Sequence, residues 1–266
     1  MKDRFGRTID YLRISVTDRC DLRCVYCMPE EGVRHVPSEK ILTFEEIREV
    51  AGAAAAMGVT KIRLTGGEPL VRRGIVDLVG MLADIPGVTD LAMSTNATRL
   101  AEYAADLAAA GLMRVNVSLD SLRPEVFKNI TRGGDLDSVL AGIDAAELAG
   151  LSPIKLNCVV QRSSDEPDAH ELAAFGRERG FEVRFIRVMN FARGEFYVVE
   201  GGSGGDCPRC NRLRLSSDGL VHPCLFSDLA FSVRELGAAE ALRRAVDMKP
   251  QAGGPCTHNW IRAVGG

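Results

Sequence analysis

Runs with strand character alternate with runs with helix character along most of the chain. The strand-like runs cover residues 12–17, 61–65, 90–95, 113–118, 154–160 and 182–188. The helix-like runs between them cover residues 43–57, 71–83, 98–110, 136–149 and 168–179. Such alternation requires a parallel sheet joined by right-handed crossovers. Six units are too few for a closed eightfold barrel, so the pattern predicts an α/β fold, an open partial (β/α)6 TIM-like barrel.

Length and charge narrow the classes of protein that suit this fold. The chain has 266 residues and a formal net charge of −3, which is long enough for one large domain with a small appendage. A mildly acidic chain of this kind is not expected to bind nucleic acid or an anionic membrane. The sequence has no apolar stretch of transmembrane length, and its first residues lack the apolar core of a signal peptide. We therefore expect a cytoplasmic protein.

Cys20, Cys24 and Cys27 form the strongest single signal in the sequence. They follow the first strand-like run with the spacing C-x3-C-x2-C. Three thiolates on one tight loop can hold three irons of a [4Fe–4S] cluster, which leaves the fourth iron open to bind a small molecule. A zinc site would need a fourth protein ligand, and the nearest candidate, His35, lies outside the usual ligand spacing. The spacing therefore favours a cluster.

A second triplet, Cys207, Cys210 and Cys224, has the spacing C-x2-C-x13-C. It lies on a predicted hairpin with a turn at residues 218–219. On spacing alone, the triplet suits either an iron–sulfur cluster or a structural zinc ribbon with His222 as the fourth ligand. Both interpretations stay open at this point.

Two cysteines lie outside these triplets. Cys158 falls in an apolar run and is predicted to be a small core residue. Cys256 falls in a tail rich in Gly and Pro and has no assigned role. A reducing compartment and two tight triplets argue for metal binding rather than disulfides.

Residues 12–31, which include the first triplet, resemble the signature of radical S-adenosylmethionine enzymes, and within them the GTP 3′,8-cyclase branch. Residues 210–215 and 223–226 resemble the same branch around the second triplet. The resemblance implies two [4Fe–4S] clusters and S-adenosyl-L-methionine as cofactors, with the auxiliary cluster touching guanine. It implies a lyase of molybdenum cofactor biosynthesis, in which a 5′-deoxyadenosyl radical takes the hydrogen from C3′ of GTP. The implied product is (8S)-3′,8-cyclo-7,8-dihydroguanosine 5′-triphosphate.

The resemblance also implies which residues bind the cofactors. The metal ligands are the six cysteines of the two triplets. The contacts to S-adenosylmethionine fall on Tyr26, Gly67, Ser118 and Met189. Gly67 belongs to a Gly-Gly-Glu-Pro run at the end of the second strand-like run, where glycine permits close backbone approach to a ligand.

Substrate contacts implied by the resemblance fall on six polar residues: Arg13, Arg63, Ser94, Lys155, Arg212 and Arg214. Three of them are cations within strand-like runs, where a polyanionic ligand would offset the cost of burying a charge. Ser94 stands where the family usually has Thr. The implied catalytic residues are Arg212, Arg214, Gly265 and Gly266, the last two because the family's C-terminal Gly-Gly reaches into the active site.

The predicted organisation is a radical S-adenosylmethionine barrel over residues 1–189, a shortened linker over 190–206 and an auxiliary-cluster region with the tail over 207–266. Between the barrel and the second triplet, the family normally carries a much longer segment. Residues 201–205, Gly-Gly-Ser-Gly-Gly, have the composition of a flexible linker. We expect both clusters to load. Because part of the wall around the substrate would be missing, we also expect weaker GTP binding and more cleavage of S-adenosylmethionine that is not coupled to cyclisation.

Two alternative functions stay open. One is a radical S-adenosylmethionine enzyme with an auxiliary cluster that acts on another substrate, such as a peptide. The other is a non-catalytic protein that holds two clusters, although such a protein would need neither the Gly-Gly-Glu-Pro run nor cations inside a barrel. As partners we expect GTP, an external electron donor and a second copy of the chain in a homodimer, and neither nucleic acid nor membrane.

Overall fold

The computed structural model describes residues 1–257. Six strands run parallel and pair in the order β6-β5-β4-β3-β2-β1, which confirms the predicted partial barrel. Their bounds are β1 Tyr11–Ser15, β2 Lys61–Thr65, β3 Asp90–Thr95, β4 Arg114–Ser118, β5 Lys155–Val160 and β6 Glu182–Arg187. Each strand therefore neighbours the one that precedes it in the chain, as right-handed crossovers require.

Helices connect the six strands and cover the outer face of the sheet. They are α1 Phe44–Ala56, α2 Ile75–Ala83, α3 Leu100–Ala109, α4 Pro124–Thr131, α5 Leu136–Leu148 and α6 Pro167–Arg179. The start of α1 is fixed by a reciprocal capping box. The Glu46 N–H donates to Thr43 Oγ1 at 3.2 Å, and the Thr43 N–H donates to Glu46 Oε2 at 2.7 Å.

Two helices differ from the prediction. The predicted helix over 71–83 begins only at Ile75, because Pro69–Val71 form a separate 3-10 turn and Gly74 has φ +77°. The helix α4 was not predicted. It has only eight residues, of which Phe127 and Thr131 are buried, so its apolar pattern is too short to stand out in the sequence.

Three further strands, β7 Arg212–Leu215, β8 Leu220–His222 and β9 Phe231–Ser232, extend the same sheet beyond β1. The strand β7 pairs in parallel with β1, and β8 and β9 follow antiparallel. The predicted hairpin turn is present, with Gly219 at φ +91°. The sequence of residues 232–246 predicts a single helix, but the positive-φ backbone of Gly237 divides this stretch into α7 Val233–Leu236 and α8 Ala238–Asp247.

The register places the two cysteine triplets at opposite ends of the sheet. Tyr11, the first residue of β1, lies beside Arg212, the first residue of β7. The second triplet therefore lies at the amino ends of the strands, since Cys210 precedes β7 and Cys224 follows its antiparallel partner. The first triplet follows β1 and lies at the carboxyl ends. Function in barrels of this kind gathers at the carboxyl ends, and the second triplet lies at the other end of the strands.

Residues 190–206 form a hydrogen-bonded segment along the edge strand β6. Phe185 and Glu200 exchange two backbone hydrogen bonds of 3.1 Å, and Val199 donates to Gly204 at 2.8 Å. The glycine-rich run is a tight turn rather than the flexible linker that its composition predicts. A Cβ atom on Gly205, which has φ +75°, would lie 1.9 Å from the carbonyl oxygen of Tyr197, so only glycine suits this position.

The two faces of the sheet differ in chemistry. On β1 and β2, Leu12, Ile14, Ile62 and Leu64 are buried in the main apolar core with the helices. A second, smaller core around Leu225, Phe226 and Cys256 attaches residues 189–196 to the second triplet. Cys158 is also buried, as predicted. No helix within residues 1–257 is both long and apolar enough to cross a membrane.

Candidate functional site

The loop that carries the first triplet is fixed against the end of β2 by two glycines. The Gly67 N–H donates to the Thr17 carbonyl and the Glu68 N–H to the Arg19 carbonyl, both at 2.8 Å. A Cβ atom on Gly67 would lie 2.1 Å from the Arg19 carbonyl oxygen, and one on Gly66 would lie 2.3 Å from that of Thr17. The close backbone approach predicted for Gly67 therefore occurs first with the cysteine loop itself.

Polar side chains that the sequence analysis missed anchor the same loop to β3 and β4. Asp21 accepts hydrogen bonds from Asn96 Nδ2 at 2.7 Å and from Thr98 Oγ1 at 2.6 Å. The Tyr26 hydroxyl donates to Asp120 Oδ2 at 2.6 Å. These residues follow successive strands, and the signal that could have found them is their position directly after each strand.

Glu68 is a buried carboxylate beneath the loop. Its oxygens accept hydrogen bonds from the Leu70 N–H at 3.0 Å, Thr95 Oγ1 at 2.8 Å and the Asn96 N–H at 2.7 Å. Burial raises the pKa of Glu68 to about 7, although the hydrogen bonds oppose the shift. Glu68 thus links the ends of β2 and β3 under the first triplet.

Inside the partial barrel, a cavity of about 340 Å³ lies between the polar face of the sheet and the second triplet. Among the described residues, nine Lys and Arg side chains and one carboxylate, Asp206, contribute to its lining. The cations are Arg13, Lys61, Arg63, Arg114, Arg184, Arg187, Arg212, Arg214 and Lys249. In a chain whose net charge is −3, this concentration of positive charge suits a polyanionic ligand.

Several of these cations have identifiable neighbours. Arg114 forms two hydrogen bonds with Asp90, at 2.9 and 2.6 Å, and Arg212 donates to Ser203 Oγ at 2.5 Å. Arg63 is only 8% exposed and stacks over the Tyr11 ring at 5.4 Å. Burial lowers the pKa of Arg63 to about 9, so its guanidinium stays charged at neutral pH. Its Nε atom has no hydrogen-bond partner among the described residues.

The structure brings together only part of the predicted set. The cavity contains Arg13, Arg63, Arg212, Arg214, Met189 and the second triplet. The predicted residues outside its lining are the first triplet, Ser94, Lys155, Tyr26, Gly67 and Ser118. Lys155 is bound instead by Glu182, with Nζ 2.6 Å from Oε2. Gly265 and Gly266 lie outside the described residues.

Each of the other outlying residues has a definite position. Tyr26 and Gly67 belong to the first-triplet region at the carboxyl ends of the strands. Ser118 is the exposed last residue of β4. The Ser94 hydroxyl is buried, without a hydrogen-bond partner among residues 1–257. Sequence reasoning missed the cavity cations Lys61, Arg114, Arg184 and Arg187. The alternation of the first three along their strands was a usable signal, whereas Arg187 lies three residues after Arg184 and breaks it.

Comparisons with known proteins agree with this geometry. Residues 14–176 match the family model described as the Radical SAM superfamily. The chain is 39% identical over 305 aligned positions to a GTP 3′,8-cyclase of Thermodesulfovibrio yellowstonii, covering 94% of this chain and 95% of that protein. A GTP 3′,8-cyclase of Peptoclostridium acidaminophilum is 41% identical over 291 positions, covering 93% and 88%. The chain belongs to the GTP 3′,8-cyclase family of radical SAM enzymes.

Solved structures support the fold of this radical SAM chain. The native anSMEcpe structure with bound AdoMet aligns with a TM-score of 0.66 and 14% identity, covering 91% of this chain and 81% of that one. At that identity, the likeness concerns the fold alone. It confirms that the open parallel barrel is the radical SAM architecture.

The donor set of the first triplet fits the [4Fe–4S] cluster that radical SAM enzymes use together with S-adenosylmethionine. Cys20, Cys24 and Cys27 are half-buried on one anchored loop. Burial, together with neighbouring acidic groups and cysteines, raises the pKa of Cys20 and Cys24 to about 12. Bound iron would supply the positive charge that keeps such thiols deprotonated.

The second triplet of this radical SAM chain has a different electrostatic environment. Burial raises the pKa of Cys210, but the Lys249 ammonium and nearby hydrogen bonds outweigh burial, so the pKa is lowered overall. His222 is buried and does not contribute to the cavity lining, and burial lowers its pKa to about 4. Across residues 1–257, no three His, Cys, Asp or Glu side chains are grouped to hold a single metal ion.

Proposed function

We propose that this chain is a GTP 3′,8-cyclase that joins C3′ of GTP to C8 of its guanine in the first step of molybdenum cofactor biosynthesis. The observation that carries the proposal is the cavity lined by cations, which lies inside a radical SAM barrel and borders the second cysteine triplet. Cys20, Cys24 and Cys27 would hold a [4Fe–4S] cluster, and such a cluster would supply the electron for the cleavage of S-adenosylmethionine. The chain's own residues bind and orient the substrate and exclude water.

The roles of the cations follow from their positions. Arg13, Arg63, Arg212 and Arg214 lie on neighbouring strands, because β1 pairs with β2 on one side and with β7 on the other. We assign them to the triphosphate, since clustered guanidinium groups bind phosphate oxygens in a fixed geometry. The guanine then points toward the second triplet, which borders the same cavity.

Lys155 and Ser94 keep a place in this proposal. Lys155 lies on the polar face of β5, two residues before the cavity residue Asn157. Because Glu182 is exposed, its ion pair with Lys155 contributes little free energy. The Lys155 ammonium can therefore leave Glu182 and bind a substrate oxygen at low cost in free energy. Tyr26, Gly67, Ser118 and Met189 remain the proposed contacts to S-adenosylmethionine, and Gly265 and Gly266 remain proposed catalytic residues.

An auxiliary [4Fe–4S] cluster at Cys207, Cys210 and Cys224 is part of the proposal. The fit rests on three thiols that border one cavity, with the only nearby histidine, among the described residues, outside the lining. Changing Cys210 to Ala should remove roughly half of the iron, preserve slow cleavage of S-adenosylmethionine and abolish the cyclised nucleotide. One zinc per chain at this triplet would contradict the auxiliary cluster and support the zinc ribbon.

The decisive experiment is anaerobic reconstitution with iron and sulfide, followed by incubation with S-adenosylmethionine, dithionite and GTP. Mass analysis should find 5′-deoxyadenosine together with a nucleotide that has the mass of GTP but a changed fragmentation pattern. The matched control is Cys24→Ala, which should form neither product. Cleavage of S-adenosylmethionine that GTP does not stimulate, with no change in the nucleotide, would contradict the proposal.

The short connection to the second triplet is expected to affect how tightly the cleavage of S-adenosylmethionine is coupled to the cyclisation of GTP. The alignment with the Thermodesulfovibrio protein has 305 positions, whereas this chain has 266 residues, so at least 39 positions have no residue here. We expect the missing wall to weaken GTP binding and to raise the ratio of 5′-deoxyadenosine to cyclised nucleotide above one at saturating GTP. A ratio near one would show that the missing residues are dispensable. The cytoplasmic location, the external electron donor, the homodimer and the three-part division of the chain stay predictions.

A further inference from the structure

Lys249 is a fully buried cation at the second triplet that the proposed mechanism does not use. Its side chain is 1% exposed. Its Nζ atom donates hydrogen bonds to the carbonyl oxygen of Arg212 at 2.7 Å and to that of Pro223 at 2.5 Å. Arg212 follows Cys210 by two residues and Pro223 directly precedes Cys224. One ammonium group therefore joins the two backbone stretches that carry the thiols.

The ammonium of Lys249 lies beside the ligand sulfurs, because both carbonyl oxygens that it bonds belong to residues within two positions of Cys210 or Cys224. Burial lowers the pKa of Lys249, and electrostatic attraction to the Cys210 and Cys224 thiols opposes this shift. Within the described residues, none of the groups that Lys249 bonds is a carboxylate. A buried ammonium without a nearby anion is costly. Its position is favourable when the triplet is a set of thiolates.

Arg7 is a second buried cation at this triplet, but its charge is balanced by a carboxylate and, among residues 1–257, that of Lys249 is not. It is also buried beside the second triplet and donates to the Cys207 carbonyl at 2.8 Å. Its charge, however, is balanced by Asp3, whose Oδ2 lies 2.5 Å from Arg7 Nε. Arg7 therefore acts on the backbone as half of a neutral pair, whereas Lys249 presents a net positive charge to the sulfurs.

We propose that Lys249 is a positioning residue for an iron–sulfur cluster at Cys207, Cys210 and Cys224, and that its ammonium raises the reduction potential of that cluster. The proposal rests on the proposed auxiliary cluster. Reduction adds one negative charge to a cluster, and a fixed cation bonded to the backbone beside two ligand cysteines stabilises the reduced state more than the oxidised state. The potential of the first cluster, at the opposite end of the sheet, should not depend on Lys249.

The test is a potentiometric titration followed by electron paramagnetic resonance on the reconstituted full chain. It compares the unsubstituted protein with Lys249→Met, which keeps the length of the side chain, and Lys249→Arg, which keeps the charge. At a fixed potential, Lys249→Met should lower the ratio of reduced to oxidised second cluster at least tenfold, which equals about 59 mV for a one-electron couple. Lys249→Arg should stay near the unsubstituted value, and the first cluster is the internal control.

The other outcomes of this experiment also support or overturn the proposed role of Lys249. If Lys249→Met fails to retain the second cluster while Lys249→Arg retains it, the requirement for charge is supported. An unchanged potential in Lys249→Met, or equal loss of the cluster in both variants, would overturn the proposal. Iron analysis of the unsubstituted chain comes first. Roughly half of the eight irons expected for two clusters would refute the auxiliary cluster itself, which is a failure separate from that of Lys249.

Discussion

Arg63 shows how one buried side chain can report on the ligand of the cavity. Its guanidinium lies beside Tyr11 and lacks a hydrogen-bond partner at Nε among the described residues. We expect Arg63→Met to weaken GTP binding on the order of tenfold to one-hundredfold, the size of a lost charge-assisted hydrogen bond or two. Isothermal titration calorimetry with GTP measures the loss.

Arg99 provides the matched control, because its guanidinium bonds Leu70 and Glu102 outside the cavity lining. Arg99→Met should leave GTP affinity unchanged. Equal affinity of the Arg63 and Arg99 variants would exclude Arg63 from the binding site.

Gly67 tests the anchoring of the first triplet. In Gly67→Ala, the new methyl group would overlap the Arg19 carbonyl oxygen at 2.1 Å, so the cysteine loop must shift. We expect loss of 5′-deoxyadenosine formation and of the first cluster's iron, while the second cluster stays. Gly52→Ala is the control, because the space around Gly52 is open and alanine is favoured inside α1 by roughly 0.5–1 kcal/mol. Full cleavage activity in Gly67→Ala would show that the glycine contact is dispensable.

The position of a single side chain can be predicted from the sequence only where polar and apolar residues alternate regularly. Arg13 and Arg63 alternate with buried aliphatic residues along their strands, so their position on the polar face could be predicted. Lys155 shows the same alternation, but Glu182 binds it from the neighbouring strand, and strand partners are not visible in a sequence. Lys249 follows the amphipathic α8 and gave no sign of its burial against the second triplet.

At the scale of elements, a cluster of three aromatic rings helps to attach residues 190–206 to the second triplet. The Phe226 ring stacks on Phe191 at 4.7 Å and packs on Phe196 at 4.6 Å between centroids. Phe226→Ala should weaken the attachment of the segment by about 3 kcal/mol, since a buried ring is lost. Hydrogen exchange should then accelerate by about two orders of magnitude at the Val199 amide, which bonds Gly204.

The barrel supplies the internal reference for this measurement. The Leu119 amide bonds the Asn157 carbonyl at 3.0 Å within the sheet, and its exchange should not change. Similar acceleration at both amides would indicate global destabilisation and would contradict a locally attached segment.

The short helix α4 is joined to α6 by an ion pair whose pH dependence can be predicted. Asp168 accepts hydrogen bonds from Arg123 Nη2 and Ser121 Oγ, both at 2.5 Å. The Arg123 hydrogen bond holds the pKa of Asp168 below its usual range. A lowered carboxyl pKa stabilises the fold above the unfolded-state pKa, and this stability is lost as the pH falls through the folded-state value.

Asp168→Asn should therefore lower Tm by about 1–3 °C at pH 7, a small effect because the pair is partly exposed. Near pH 2–3, the difference from the unsubstituted protein should disappear. Thermal scans monitored by circular dichroism across this range provide the measurement. A difference that stays constant with pH would show that packing, rather than charge, joins the two helices.

Elements were predictable where apolar runs were long. All six barrel strands were located from the sequence because each lies between polar or glycine-containing turns. The helix α4 and the break at Gly237 were missed, since a short helix buries few residues and a single glycine is tolerated inside helical patterns. The order in residues 190–206 depends on contacts with Val183 and Tyr197 that composition cannot reveal.

At the scale of the whole molecule, the two triplets are separated by the length of a strand. The five residues of β1 span about 17 Å, and the triplets lie beyond its two ends. We therefore expect them to load independently. Cys24→Ala should keep the iron of the second triplet and Cys210→Ala that of the first, as measured by iron analysis and Mössbauer spectroscopy. Loss of all iron in either variant would show that one site folds only with the other.

The pairing of β1 with both β2 and β7 has a consequence for biosynthesis. Arg7 and Cys207, which contact each other in the folded protein, are 200 residues apart in the chain. At 5–20 residues per second, a ribosome needs about 10–40 s to synthesise that interval. During this time β1 has one open edge, and the first triplet is already outside the ribosome with its strand partners arriving in order. The loop of the first triplet can therefore pair with its neighbouring strands early, whereas the second site is completed only when synthesis is nearly finished.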